Sequence, residues 1–190
     1  MVISSGIFAS AYTSNETPGN RHGRGSAINS IGVATWQCDF VLVPASAPMS
    51  ASAATAPVDL VAADWWAGIQ PPGDFEARIA EFLPERASWT PDLRTWGAEE
   101  GTRVDVWREG RRIDSIRIRI DTREPPAEVV RHLTALAAYC DAAFLRHDGL
   151  FVPPTADALA SAIGTSAAAR FVEDAETFLR RIRLGGPQDG

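Results

Sequence analysis

The run Arg103-Val-Asp-Val-Trp107-Arg-Glu-Gly110-Arg-Arg-Ile113-Asp-Ser-Ile116-Arg-Ile-Arg-Ile-Asp121 decides the fold. Val104 and Val106 alternate with polar neighbours, and so do Ile116, Ile118 and Ile120. Apolar residues at every second position mark strands with one buried face. Two such runs around a glycine make a β-hairpin. A slip of one residue would turn every side chain over, so both apolar sets must share a face. Val106 then lies opposite Ile116 and Val104 opposite Ile118. The midpoint falls on Arg111, which predicts an odd loop, Gly110-Arg111-Arg112, with room for a bulge, rather than a two-residue turn.

The same register fixes the outer face. Asp105 comes opposite Arg117, Arg103 opposite Arg119 and Trp107 opposite Ser115, with Asp121 and Arg123 continuing the row. Three readings of this face stand side by side. It is a solvated surface stitched by cross-strand pairs; or a recognition surface, since arginine and tryptophan are the residue types enriched at binding hot spots; or an anion or phosphoester site with arginine clamps and Asp121 or Glu124 as base or metal ligand.

Before the hairpin, Cys38-Asp-Phe-Val-Leu-Val43 reads as a strand ended by Pro44. An Ala/Ser/Pro-rich loop follows from Ala45 to Pro57. Asp74 is placed to cap a short helix carrying Phe75, Ile79, Phe82 and Leu83 on one face, and Trp89 to Trp96 reads as an edge strand or an extended segment, interrupted by Pro91. After the hairpin, Pro125-Pro126 opens the main helix, whose buried stripe is Val129, Leu133, Leu136 and Cys140 with Val130 and Ala137 alongside. A second hairpin turns at His147-Asp148-Gly149. A helix with Leu159 and Ile163, a segment from Ala167 to Val172 and a last helix capped by Asp174 close the domain. The expected architecture is α+β, a small, mainly antiparallel sheet with helices packed on one face. Residues 36–184 form the domain, between a disordered N-terminal arm over 1–35, rich in Ser, Gly, Asn and Thr, and a flexible tail over 185–190.

Composition narrows the chemistry. The 190 residues are 45% hydrophobic and 22% charged, with a formal net charge of −6. That charge opposes nucleic-acid binding and suits a protein partner. All 18 basic residues are arginine, so mechanisms that need a Schiff-base, general-base or P-loop lysine are closed. No apolar run reaches the roughly 18 residues that span a bilayer, and the start lacks a signal-peptide pattern; no membrane and a cytoplasmic location are expected. Cys38 and Cys140 have no metal or redox spacing, and Cys140 is expected as a buried free thiol. His22, His132 and His147 lack metal-ligand spacing, and His132 sits four residues after Glu128, where an ion pair is the simple reading. No Gly-x-Ser-x-Gly or Gly-x-Gly-x-x-Gly occurs. No catalytic residue, metal or cofactor is assigned.

From Trp96-Gly97 through Arg103-Val-Asp-Val-Trp107, Ile116-Arg-Ile-Arg-Ile-Asp-Thr-Arg123, Gly149-Leu-Phe-Val-Pro-Pro154 and Ser166-Ala-Ala-Ala-Arg-Phe-Val172, the chain resembles a pattern found in uncharacterised bacterial proteins. In size, acidity, α+β make-up and lack of a catalytic signature it is also similar to immunity proteins of bacterial toxin systems. That similarity implies a non-catalytic intracellular inhibitor that binds one protein. The protein-binding candidates come from the hairpin face: Arg103, Asp105, Trp107, Arg117, Arg119, Asp121 and Arg123. The alternative expectation is a small enzyme that acts on an anionic, phosphoester-like substrate through the same Arg/Asp face. The sequence leaves oligomeric state open.

Overall fold

The computed structural model describes residues 36–46, 64–123, 127–175 and 177. The expected arm over 1–35 and tail over 185–190 lie outside these residues. So do most of the Ala/Ser/Pro-rich stretch, the Pro125-Pro126 helix start and nearly all of the closing helix after Asp174.

In chain order the elements are β1 (Gln37–Pro44), α1 (Phe75–Ala80), β2 (Glu85–Arg86), β3 (Leu93–Gly97), β4 (Arg103–Glu109), β5 (Arg112–Asp121), α2 (Ala127–Tyr139), β6 (Ala142–Arg146), β7 (Phe151–Val152), α3 (Ala156–Gly164) and α4 (Ala167–Glu173). The seven strands form one sheet in the order β2-β3-β4-β5-β1-β6-β7, with every pair antiparallel. The fold is α+β as expected. One core joins Phe40, Leu42, Ile116, Ile118 and Phe144 of the sheet to Phe75, Ile79, Leu133, Leu136, Leu159 and Ile163 of the helices. The helices therefore share one face.

β1 is central and buried on both sides. Cys38, Phe40 and Leu42 face the helices, while Val41 and Val43 pack with Leu145, Trp65 and Phe151 on the other face. Double burial is why Phe40-Val-Leu-Val43 reads as an unbroken apolar run rather than an alternation.

The hairpin register is the one that the alternation requires: Arg103↔Arg119, Val104↔Ile118, Asp105↔Arg117, Val106↔Ile116 and Trp107↔Ser115. The loop corrects the expectation. Glu109 pairs with Arg112, so the turn has two residues, Gly110 and Arg111, with Gly110 at φ +62°. A glycine with positive φ at the first central position is the pattern of a II′ hairpin turn. The odd residue goes into a bulge, since Arg108 pairs with Ile113 and Trp107 with Ser115, leaving Asp114 extra. The bulge lets Ile113 join Ile116 in the core despite their spacing of three. Beyond the reach of β1, the Gln70 side chain extends the ladder. Its Oε1 accepts from Ile113 N at 2.7 Å and its Nε2 donates to Ile113 O at 3.2 Å. Both backbone groups at the bulge are thereby paired.

Two further expectations are corrected. β3 is an inner strand, because β2 pairs outside it through Glu85↔Trp96 and Arg86↔Thr95; Pro91 lies before the strand and blocks no ladder bond. Asp74 makes no side-chain cap on α1. Its carboxylate instead accepts from the Tyr139 hydroxyl, which holds it below the ordinary carboxylate range. The electrostatic tie of α1 is Glu76, whose carboxylate meets Arg94 of β3 and, at 2.6 Å, Arg108 of β4. On α2, His132 lies 3.8 Å from Glu128, as expected, and also stacks on Phe82 with ring centroids 5.0 Å apart.

Both cysteines are free and buried. Burial pushes the Cys38 thiol up to about 11 and the Cys140 thiol up to about 12. A thiol needs to be both exposed and ionised to react, so an aromatic disulfide reagent near neutral pH should titrate neither in the folded protein and both after denaturant is added. Stoichiometric reaction of either thiol in the native state would contradict this packing.

Candidate functional site

Alternation sends Arg103, Asp105 and Trp107 of β4, and Ser115, Arg117 and Arg119 of β5, to the face opposite the helices. Thr95 and Leu93 of β3 and Asp39 of β1 join them through the strand pairings Thr95↔Asp105, Leu93↔Trp107 and Asp39↔Arg119. The expected site residues thus share one strand face, but Asp105 is paired along its own strand and across to β3 rather than across to Arg117.

Asp105 is buried and does not bond its cross-strand neighbour Arg117. Its Oδ1 accepts from Arg103 Nε at 2.7 Å and from Thr95 Oγ1 at 2.8 Å. Arg119 Nε stands 3.4 Å from Asp39 Oδ1. Burial raises the Asp39 carboxyl above its ordinary value, against the pull of Arg119, His147 and Arg117, although 35% of its side-chain surface is exposed. Asp121 grips Arg123 through both carboxylate oxygens, a bond that lowers its pKa. Arg123 also lies over the Trp36 ring, 4.7 Å from its centroid. Arg117 has no hydrogen bond or ion pair among the described residues, and its Nε is buried without a partner.

At the other end of the face, Trp107 meets Trp89 edge to face, with centroids 5.7 Å apart. Trp89 is 76% exposed. Beside it a trough of about 600 Å³ runs over β3. Its lining includes Arg86, Trp89, Leu93 and Thr95, with Glu99 and Arg103 at the Gly97 end of β3. That end is held by Gln37, whose Nε2 donates to the carbonyls of Glu99 and Gly101. Gly97, at φ +96°, makes the tight approach there possible, since a Cβ would fall 2.2 Å from Thr102 O.

Of the seven expected site residues, only Arg103 lines the trough. Asp39, Thr95, Arg86 and Trp89 were not anticipated. Asp39 had a signal, being the one charged residue inside an otherwise apolar strand. Trp89 had none, because exposure cannot be read from residue type. Among the described residues, no cluster of three or more His, Cys, Asp or Glu side chains is placed to hold a metal ion. Within the same residues, no helix is long and apolar enough to cross a membrane. No family model, curated protein or solved structure matches the chain. The site is therefore judged on its own geometry.

Proposed function

We propose that the chain is a non-catalytic protein-binding domain, of the inhibitory type that immunity proteins represent, acting in the bacterial cytoplasm through the sheet face opposite the helices. The observation that carries this reading is Trp89. An indole 76% exposed yet braced edge-on by Trp107 leaves a large apolar surface in water with its orientation fixed in advance. Buried aromatics of this kind, beside arginines and surrounded by polar groups, dominate binding energy at protein interfaces. The net charge of −6 disfavours a nucleic acid as the partner.

The enzymatic alternative requires Arg117, Arg119 and Asp121 to converge on a concavity. The trough over β3 is lined by none of these three residues, nor by the third clamp, Arg123.

The test is affinity capture from host lysate with the wild-type chain, Trp89→Ala, and Leu150→Ala as a control on an exposed residue beside the opposite sheet edge. One stoichiometric protein should be retained by wild type and control, and its dissociation constant should weaken about 30-fold in Trp89→Ala, corresponding to about 2 kcal/mol. Stability of Trp89→Ala should stay within about 0.5 kcal/mol, as for exposed positions generally. Equal retention by all three chains would remove Trp89 from the interface and this reading with it.

A further inference from the structure

We propose that Arg117 and Arg119 form an oxyanion fork at the centre of the sheet face, and that the group it takes is a carboxylate presented by an acidic side chain of the partner. The carboxylate's source rests on the protein-binding reading above; the fork itself does not.

Arg117 lies between Asp105 of β4 and Val41 of β1, and Arg119 follows two residues on along the same strand face. Their Cα atoms are roughly 7 Å apart, the spacing of alternate residues in an extended strand. Both nearby anions are otherwise engaged. The bonded oxygen of Asp105 is shared between Thr95 and Arg103. Asp39 makes one long contact, to Arg119, and burial disfavours its ionised form. Arg117 is thus a cation held in a sheet without a bonded counter-ion, its Nε shut away from solvent and unpaired. A buried donor left in that state is a standing cost to the fold. The Nη atoms of Arg117 are not among the buried unpartnered atoms, so the outer edge of its guanidinium can receive a ligand. That edge is a planar pair of donors matched to a two-oxygen acceptor.

The surroundings select the kind of oxyanion. Asp39, Asp105 and Asp121 are interleaved with Arg103, Arg117, Arg119 and Arg123 on this face, and the whole chain carries −6. A dianion such as phosphate would meet repulsion from the Asp105 and Asp121 carboxylates. A single negative charge on a carboxylate meets much less while filling the same fork.

The experiment follows the arginine Nε–Hε resonances of the full chain by NMR while acetate, inorganic phosphate or chloride is added at matched ionic strength. Acetate should shift the Arg117 and Arg119 signals saturably and leave Arg123, already locked on Asp121, in place. Phosphate should bind no tighter than acetate. In Arg117→Gln, the acetate constant read at Arg119 should weaken at least tenfold. Arg119→Gln, read at Arg117, supplies the reciprocal measurement should the first variant fold poorly. An Arg117 response to acetate no larger than its response to chloride would overturn the fork; tighter binding of phosphate would overturn the carboxylate. If acetate saturates the fork but the captured partner binds Arg117→Gln as well as wild type, the partner carboxylate is wrong while the protein-binding reading survives. If Trp89→Ala binds the partner normally and acetate still saturates, the fork survives and the proposed interface does not.

Discussion

Replacing Trp66 by alanine should cost about 4–5 kcal/mol of stability, the largest effect expected of any single substitution in the described residues. Trp66 is fully buried among the sheet and helices, and its indole Nε1 donates to the Leu42 carbonyl at 3.0 Å. Truncating a buried aromatic leaves a cavity that the surrounding structure fills only in part, worth about 3–5 kcal/mol, and the unpaired carbonyl adds about 1 kcal/mol. A domain of this size has only about 5–15 kcal/mol in total. The loss also spreads along the chain. The Trp66 carbonyl accepts from Gln70, the same side chain that pairs the backbone of Ile113 at the bulge. Trp66→Phe keeps most of the volume but loses the hydrogen bond, and should cost about 1–2 kcal/mol. Urea unfolding checks both: the midpoint should fall in that order at a constant slope. A Trp66→Ala midpoint within about 1 kcal/mol of wild type would mean that the 64–70 segment does not pack as described.

The parts of this fold that were legible in the sequence are those fixed by local periodicity. Val104, Val106, Ile116, Ile118 and Ile120 gave the hairpin register because a side-chain period of two admits no other pairing with one buried face. Leu133, Leu136 and Ala137 gave the main helix in the same way. The hairpin turn was misassigned because parity counts residues without saying where the extra one sits. The spacing of three between Ile113 and Ile116 was the available sign of a bulge. Gln70 could not be found, since a side chain that replaces a missing strand leaves no trace in its own neighbourhood. For the same reason the strand face of the candidate site was readable while the trough was not. The trough depends on β2 adding outside β3, and a two-residue strand carries no period. The choice of partners within the face was hidden as well. Register places Asp105 across from Arg117, but the shared carboxylate goes to Arg103 and Thr95, and that choice leaves Arg117 without a bonded counter-ion.

Arg146→Met is the other substitution with a large expected cost, about 3 kcal/mol, and its effect should depend on pH. Arg146 belongs to β6 and is buried, at 8% exposure. Its Nη1 donates to the Ala162 carbonyl at 2.6 Å in the last turn of α3, a position where a cation also meets the negative end of the helix dipole. Its Nε and Nη2 grip both oxygens of Asp148 at 2.9 and 2.7 Å. One guanidinium therefore fastens α3 to the sheet and closes the β6–β7 turn. Methionine keeps the apolar stem and removes every donor, and hydrogen bonds to a charged group are worth about 1.5–3 kcal/mol each. Asp148→Asn should cost less, about 1 kcal/mol, because the Asp148 side chain is 47% exposed and its charge is screened by water. The two contributions separate by titration. The Arg146 bond holds the Asp148 carboxyl below its ordinary value in the folded protein. Stability from that pair is therefore present above the unfolded carboxylate pKa of about 3.9 and is lost as pH falls through the depressed folded value. The difference in stability between wild type and Arg146→Met should narrow across that acid window, while the share carried by the Ala162 carbonyl, which does not titrate, persists. A difference that stays constant from neutral pH down through the carboxylate range would assign the whole effect to the helix contact and none to Asp148.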